Sequence, residues 1–138
     1  MPVSSVPFLD GYPIVRVEFL KPDGGVLGRT LVVDSGFTGL SAFALSPADG
    51  SLIRRWDAAA ADVRGALTGR AERIWVTCTI PELGFRRTLK TICADLSSLA
   101  LPSGADGIVG LTFLQDFVWW GARRGADGEW RFELAVGP

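Results

Sequence analysis

The stretch IVRVEFL (Ile14 to Leu20), followed at once by KPDGG and VLGRTLVVD, constrains this chain more than any other feature. Val15, Val17 and Phe19 alternate with Arg16 and Glu18, the period of two expected of a strand with one wet face. Pro22 fixes φ and Asp23-Gly24 permits a positive φ, so Lys21 to Gly25 reads as a turn. Val26 to Asp34 is then the returning strand of a hairpin. That hairpin ends on a carboxylate, Asp34, directly after the apolar run Leu31-Val32-Val33.

The same device recurs downstream. In Ala58 to Pro81, Ile74, Val76, Cys78 and Ile80 alternate with Trp75, Thr77 and Thr79, which predicts a long hairpin whose tip is the glycine-bracketed Gly65-Ala66-Leu67-Thr68-Gly69. Glu82 to Gly84 turns the chain into FRRTLKTICADL, another strand. The flanks of GARRGADG, VWW and EWRFELAV, form a last hairpin, with Trp130, Phe132, Leu134 and Val136 on one face. A short strand is expected near Leu40 to Leu45. Helices are few. Ser46 caps and Pro47 opens a helix that Gly50 weakens and keeps short, and LTFLQDF offers one or two helical turns. Met1 to Asp10 is a lead-in closed by the turn-prone Gly11-Tyr12-Pro13. Hairpin after hairpin with short turns predicts an all-β barrel or sandwich. The 138 residues suit one domain, 1–138.

Composition removes several chemistries. There is no histidine, which excludes Ser-His-Asp and Cys-His catalysis and nearly all ordinary zinc sites. Acid–base chemistry is left to carboxylates, the single Tyr12, the cysteines and the lysines Lys21 and Lys90. Cys78 and Cys93 form no CxxC and read as buried, reduced thiols. A formal net charge of −1 gives no general pull toward nucleic acid or an anionic membrane, and neither is expected as a partner. No stretch reaches the length of a membrane helix, and Met1 to Asp10 lacks the basic start of a signal peptide. A cytoplasmic, reducing setting is the expectation. Neither a metal nor another cofactor is expected.

The chemistry concentrates in two motifs. Asp34-Ser35-Gly36 follows an apolar strand, and Gly36 lets a backbone approach closely; Gly39 keeps the same loop narrow. Far downstream, ADGIVGL (Ala105 to Leu111) encloses Ile108-Val109 between glycines before a short helix. Together, VDSGFTG and GIVGLTFL resemble the retropepsin-like aspartic proteases, the bacterial single-lobe members in particular, over roughly Ile14 to Phe117. The resemblance implies a small closed β-barrel of the retropepsin or pepsin-lobe type with one or two short helices. It also implies a homodimer in which Asp34 of each chain faces its counterpart, and a peptide or protein substrate. Asp34 is then the catalytic carboxylate, and Ser35, Gly36 and Thr38 belong to its active-site loop. Ile108, Val109 and Gly110 would buttress that loop from beneath, and Gly65 to Gly69 would form the flap. Phe37 departs from the retroviral pattern, where a small residue stands, and is expected to narrow the cleft. No tyrosine sits in the flap, unlike pepsin.

Two other readings compete. A non-catalytic module on the same fold could grip extended peptide by strand addition. An unrelated small barrel could serve in assembly. Asp106, beside Gly107, reads as a turn residue rather than a second catalytic carboxylate. Adjacent bulky residues on a strand point both ways, which makes Trp119-Trp120 a candidate dimer surface.

Overall fold

The computed structural model describes residues 2–56, 58–61 and 68–137. The first hairpin forms as the pattern requires: β2 (Ile14–Leu20) pairs antiparallel with β3 (Val26–Val33), Ile14 opposite Val32 and Leu20 opposite Val26. Before it, β1 (Val3–Pro7) is a strand where the sequence suggested only a lead-in. After it come β4 (Phe43–Leu45), helix α1 (Pro47–Leu52), β5 (Ala58–Ala61), β6 (Thr68–Ile80), a 3-10 turn (Pro81–Leu83), β7 (Phe85–Asp95), β8 (Gly107–Val109), helix α2 (Leu111–Leu114), β9 (Trp119–Arg124) and β10 (Trp130–Ala135). The turn of the last hairpin is shorter than expected, because β9 runs through Gly121 to Arg124 before the chain reverses.

The main sheet has the order β2-β3-β8-β4-β7-β6, and β2 also pairs with β6 at Glu18–Thr79 and Phe19–Cys78. Six strands thus close on themselves into a barrel, and β5 is added at the free part of β6. A closed sheet has no edges to cap. A separate three-stranded sheet, β1-β10-β9, joins the two ends of the chain.

Alternation sorts the side chains into two cores. Val15, Leu31, Phe43, Leu45, Ile74, Val76, Cys78, Cys93 and Val109 fill the barrel interior. Their strand neighbours Ile14, Val32, Ala44, Ile92 and Ile108 form a second cluster on the opposite face, covered by Leu9, Phe37, Leu99 and Leu101. β8 and the last residues of β3, Leu31 and Val32, are therefore buried on both faces, which explains why Leu31-Val32-Val33 is continuously apolar. Phe113 of α2 packs into the barrel, its ring 5.1 Å from Phe43, 5.6 Å from Phe85 and 5.0 Å from Phe117. Ser46 caps α1 as expected, its Oγ accepting from the Asp49 N–H at 3.1 Å. Among the described residues no helix is long and apolar enough to cross a membrane.

Candidate active site

Asp34 stands one residue beyond β3, where the parallel pairing with β8 runs out. Its backbone N–H donates to the Val109 carbonyl at 2.9 Å, extending the ladder by one bond, while Val33 N–H donates to Pro13 at 2.9 Å. The chain then turns sharply: Phe37 N–H donates to the Asp34 carbonyl at 3.0 Å, and Gly36 N–H donates to Asp34 Oδ1 at 3.0 Å. The second bond is an Asx turn, the usual local use of an aspartate side chain. Among the described residues no other hydrogen bond or ion pair reaches the Asp34 carboxylate. The carboxylate is exposed in the single chain, as are Ser35, Gly36, Thr38 and Gly39. The side chains of Ser35 and Thr38 make no hydrogen bond among the described residues.

β8 runs beside and beneath this loop. Val109 is fully buried in the barrel and Ile108 is 6% exposed in the second cluster. Gly110 N–H donates to Ala42 at 2.9 Å, and Leu111 N–H, at the start of α2, donates to the Phe37 carbonyl at 3.0 Å. A Cβ on Gly110 would collide with the Phe37 backbone and sit 2.6 Å from its ring, so a glycine is required for the two segments to approach. Thr112 adds a tie the sequence did not suggest: its hydroxyl donates to the Gly39 carbonyl at 2.5 Å. Gly39 holds φ +107, a conformation costly to any other residue. A threonine on a short helix carries no local signal for such a contact. The two motifs, 75 positions apart in sequence, thus meet as one hydrogen-bonded unit around Asp34.

Other expectations fall elsewhere. The Phe37 side chain packs against the second cluster, behind β8, because that cluster needs an apolar cover. Asp106 is committed to structure: Thr30 N–H donates to its Oδ2 at 2.9 Å and its own N–H donates to Thr30 at 2.8 Å. Of the expected flap, Gly65, Ala66 and Leu67 lie outside the described residues; Thr68 and Gly69 open β6, whose hairpin with β5 has Ala61 opposite Ala71. Trp119 is exposed and Trp120 turns inward toward Phe132, at 6.5 Å between ring centroids. Cys78 and Cys93 are free and buried, and burial pushes their thiols up to about 12 and about 11. As thiols they are poor nucleophiles. A cavity of about 340 Å³ lined by Arg16, Glu18, Arg29 and Glu82 contains no residue of the Asp34 loop.

The arrangement can present one carboxylate, rigidly held by backbone bonds, to whatever adjoins the loop from solvent. No protein-family model and no curated protein matches this sequence. Among solved structures, the EIAV protease complexed with the inhibitor HBY-793 is similar, with a TM-score of 0.51 and 22% identity over 78% of this chain and 89% of that one. The likeness is one of fold: this barrel resembles that of the EIAV protease.

Proposed function

We propose that the chain is one half of an aspartic peptidase, and that two copies related by a two-fold axis bring their Asp34 carboxylates together to hydrolyse peptide bonds. The observation that carries the reading is the loop itself: an exposed carboxylate, clamped through Val109 and Gly36, with no side-chain partner among the described residues. Two carboxylates held about 3 Å apart cannot both ionise cheaply and share a proton. One then draws a proton from a water while the other donates to the scissile carbonyl or leaving nitrogen. The pair titrates as a unit. Such a pair needs neither histidine nor metal, which suits a chain with no histidine. Leu40, 63% exposed at the end of the same loop, offers apolar surface to the second copy, and Trp119, 41% exposed on β9, offers more. Ser35 and Thr38, both exposed, are the donors for a hydrogen-bond network across the two-fold, and Gly36 leaves room for substrate backbone. The hairpin of β5 and β6 is the proposed flap. The substrate is peptide or protein, and a reducing compartment suits the two buried thiols.

The test is Asp34→Asn. The variant keeps the parent's unfolding midpoint, and cleavage of unfolded polypeptide at acidic to mildly acidic pH, read by mass spectrometry of the products, falls by a factor on the order of 10² to 10⁴. Equal cleavage by the variant would sink the assignment. Peptide affinity without turnover, unchanged in the variant, would instead favour a binding module.

A further inference from the structure

On the outer face of β6 and β7, far along the sequence from the Asp34 loop, three cross-strand rungs stack: Trp75 opposite Lys90, Thr77 opposite Thr88, and Thr79 opposite Arg86. The chain entering β5 lies over them. Trp56 N–H donates to the Trp75 carbonyl at 3.1 Å, and the Trp56 indole Nε1 donates to Thr77 Oγ1 at 2.9 Å, which is itself 3.0 Å from Thr88 Oγ1. That cover leaves Thr77 only 3% exposed. The two indoles remain open to solvent, Trp56 at 50% and Trp75 at 37%. A cation sits over each, the Arg54 guanidinium 4.0 Å from the Trp56 ring and the Lys90 ammonium 5.1 Å from the Trp75 ring. Arg54, Arg86 and Lys90 have no ion pair among the described residues. Among the described residues, the nearest acid by register is Glu18, beyond Thr79 on β2.

A chain of net charge −1 has thus gathered, on one pre-ordered face, two exposed indoles and three cations without an ion pair among the described residues. We propose that this face, with Arg54, Trp56, Trp75, Arg86 and Lys90, is a docking surface for an acidic segment of another polypeptide. The proposal does not depend on the reading of Asp34. A guanidinium held over an indole gives one side to the ring and has N–H groups left to grip a carboxylate. The stacking also fixes the arginine in advance, which lowers the entropy lost on binding. Arg86 and Lys90 are four residues apart on one strand, about 13 Å, and Arg54 reaches in over Trp56 beside them. An extended chain with acids at alternate positions matches that spacing. Single-stranded nucleic acid fits less well, because the ring faces on which bases would stack already carry cations.

The test uses the full chain and a fluorescein-labelled, end-capped ten-residue peptide of alternating Glu and Ser, read by fluorescence anisotropy. A Lys-Ser peptide and a ten-nucleotide thymidine strand serve as the other arms. The acidic peptide binds saturably, with affinity that falls as salt rises, and the Lys-Ser peptide does not. Arg54→Glu and Arg86→Glu each weaken binding by about tenfold. Among the described residues Arg86 has no cation–π contact with either tryptophan, so Arg86→Glu keeps the test decisive if Arg54→Glu perturbs the fold by circular dichroism. Three results each overturn the proposal: no saturable binding of the acidic peptide, equal binding by the folded charge-reversed chain, or tighter binding of the thymidine strand through the same residues.

Discussion

Replacing Gly110 by alanine tests how the two halves of the site are held together. Gly110 has φ −111 and ψ −175, backbone that alanine adopts freely, so any cost comes from contact. The added Cβ would lie 2.6 Å from Phe37 Cδ2 and 3.2 Å from the Phe37 carbonyl carbon, with the carbonyl oxygen nearer still. Carbon atoms pack best at about 3.5–4.0 Å, so the Asp34 loop must withdraw by roughly 1 Å. Withdrawal stretches the 3.0 Å bond from Leu111 N–H to the Phe37 carbonyl and loads the Thr112 tie to Gly39. Overpacking costs about 1–3 kcal/mol and a lost hydrogen bond about 1 kcal/mol, giving an expected loss of about 2–4 kcal/mol. Urea unfolding followed by tryptophan fluorescence measures it, as a lower midpoint at unchanged slope. Gly36→Ala is the control. Its Cβ would meet only Asp34 Oδ1, at 3.2 Å, on an exposed loop, and the expected cost is under about 1 kcal/mol. If Gly110→Ala lies within about 0.5 kcal/mol of the parent, or is no worse than Gly36→Ala, the close approach does not hold the loop and the reasoning fails.

Two further substitutions probe the core. Thr91 is fully buried in β7 and its hydroxyl has no hydrogen-bond partner among the described residues, so Thr91→Val is expected to stabilise the fold by about 1 kcal/mol in the same urea assay; a loss of that size would mean that the hydroxyl is satisfied. Cys78 is held neutral by burial, its pKa raised from 9.0 to about 12. The fold therefore keeps a proton that the unfolded chain releases above pH 9, and stability falls with rising pH between about 9 and 12, by up to about 1.4 kcal/mol per pH unit. Unfolding free energies measured from pH 8 to 11 are expected to fall less steeply in Cys78→Ala, and parallel curves would refute the linkage.

The strands were legible wherever one face is wet and neighbours in sequence pair with each other: β2, β3, β6 and β7 follow the alternation in IVRVEFL and IWVTCTI. β1 was not, because VSSVP has no such alternation and its partner is β10, more than a hundred residues away. Thr77 was placed on the wet face by its period, and that is where it points, but Trp56 crosses over and buries it. No period within a strand reports a cover supplied by a different segment. The candidate site behaved differently. Leu31-Val32-Val33 and Ile108-Val109 are apolar on both faces because each strand separates the barrel interior from the second cluster. Double burial makes the pair stiff, and a carboxylate just past its end inherits that stiffness through the Val109 bond. Phe37 follows from the same sandwich: its ring is taken up as cover for the cluster behind β8, so its bulk does not by itself measure the width of any cleft in front. The glycine at 110 was legible as a mark of close approach, yet what approaches it, the carbonyl of Phe37, is set by pairing across 73 positions of sequence. A sequence motif can therefore announce that a loop is held, while the atoms that hold it emerge only when both clusters are filled.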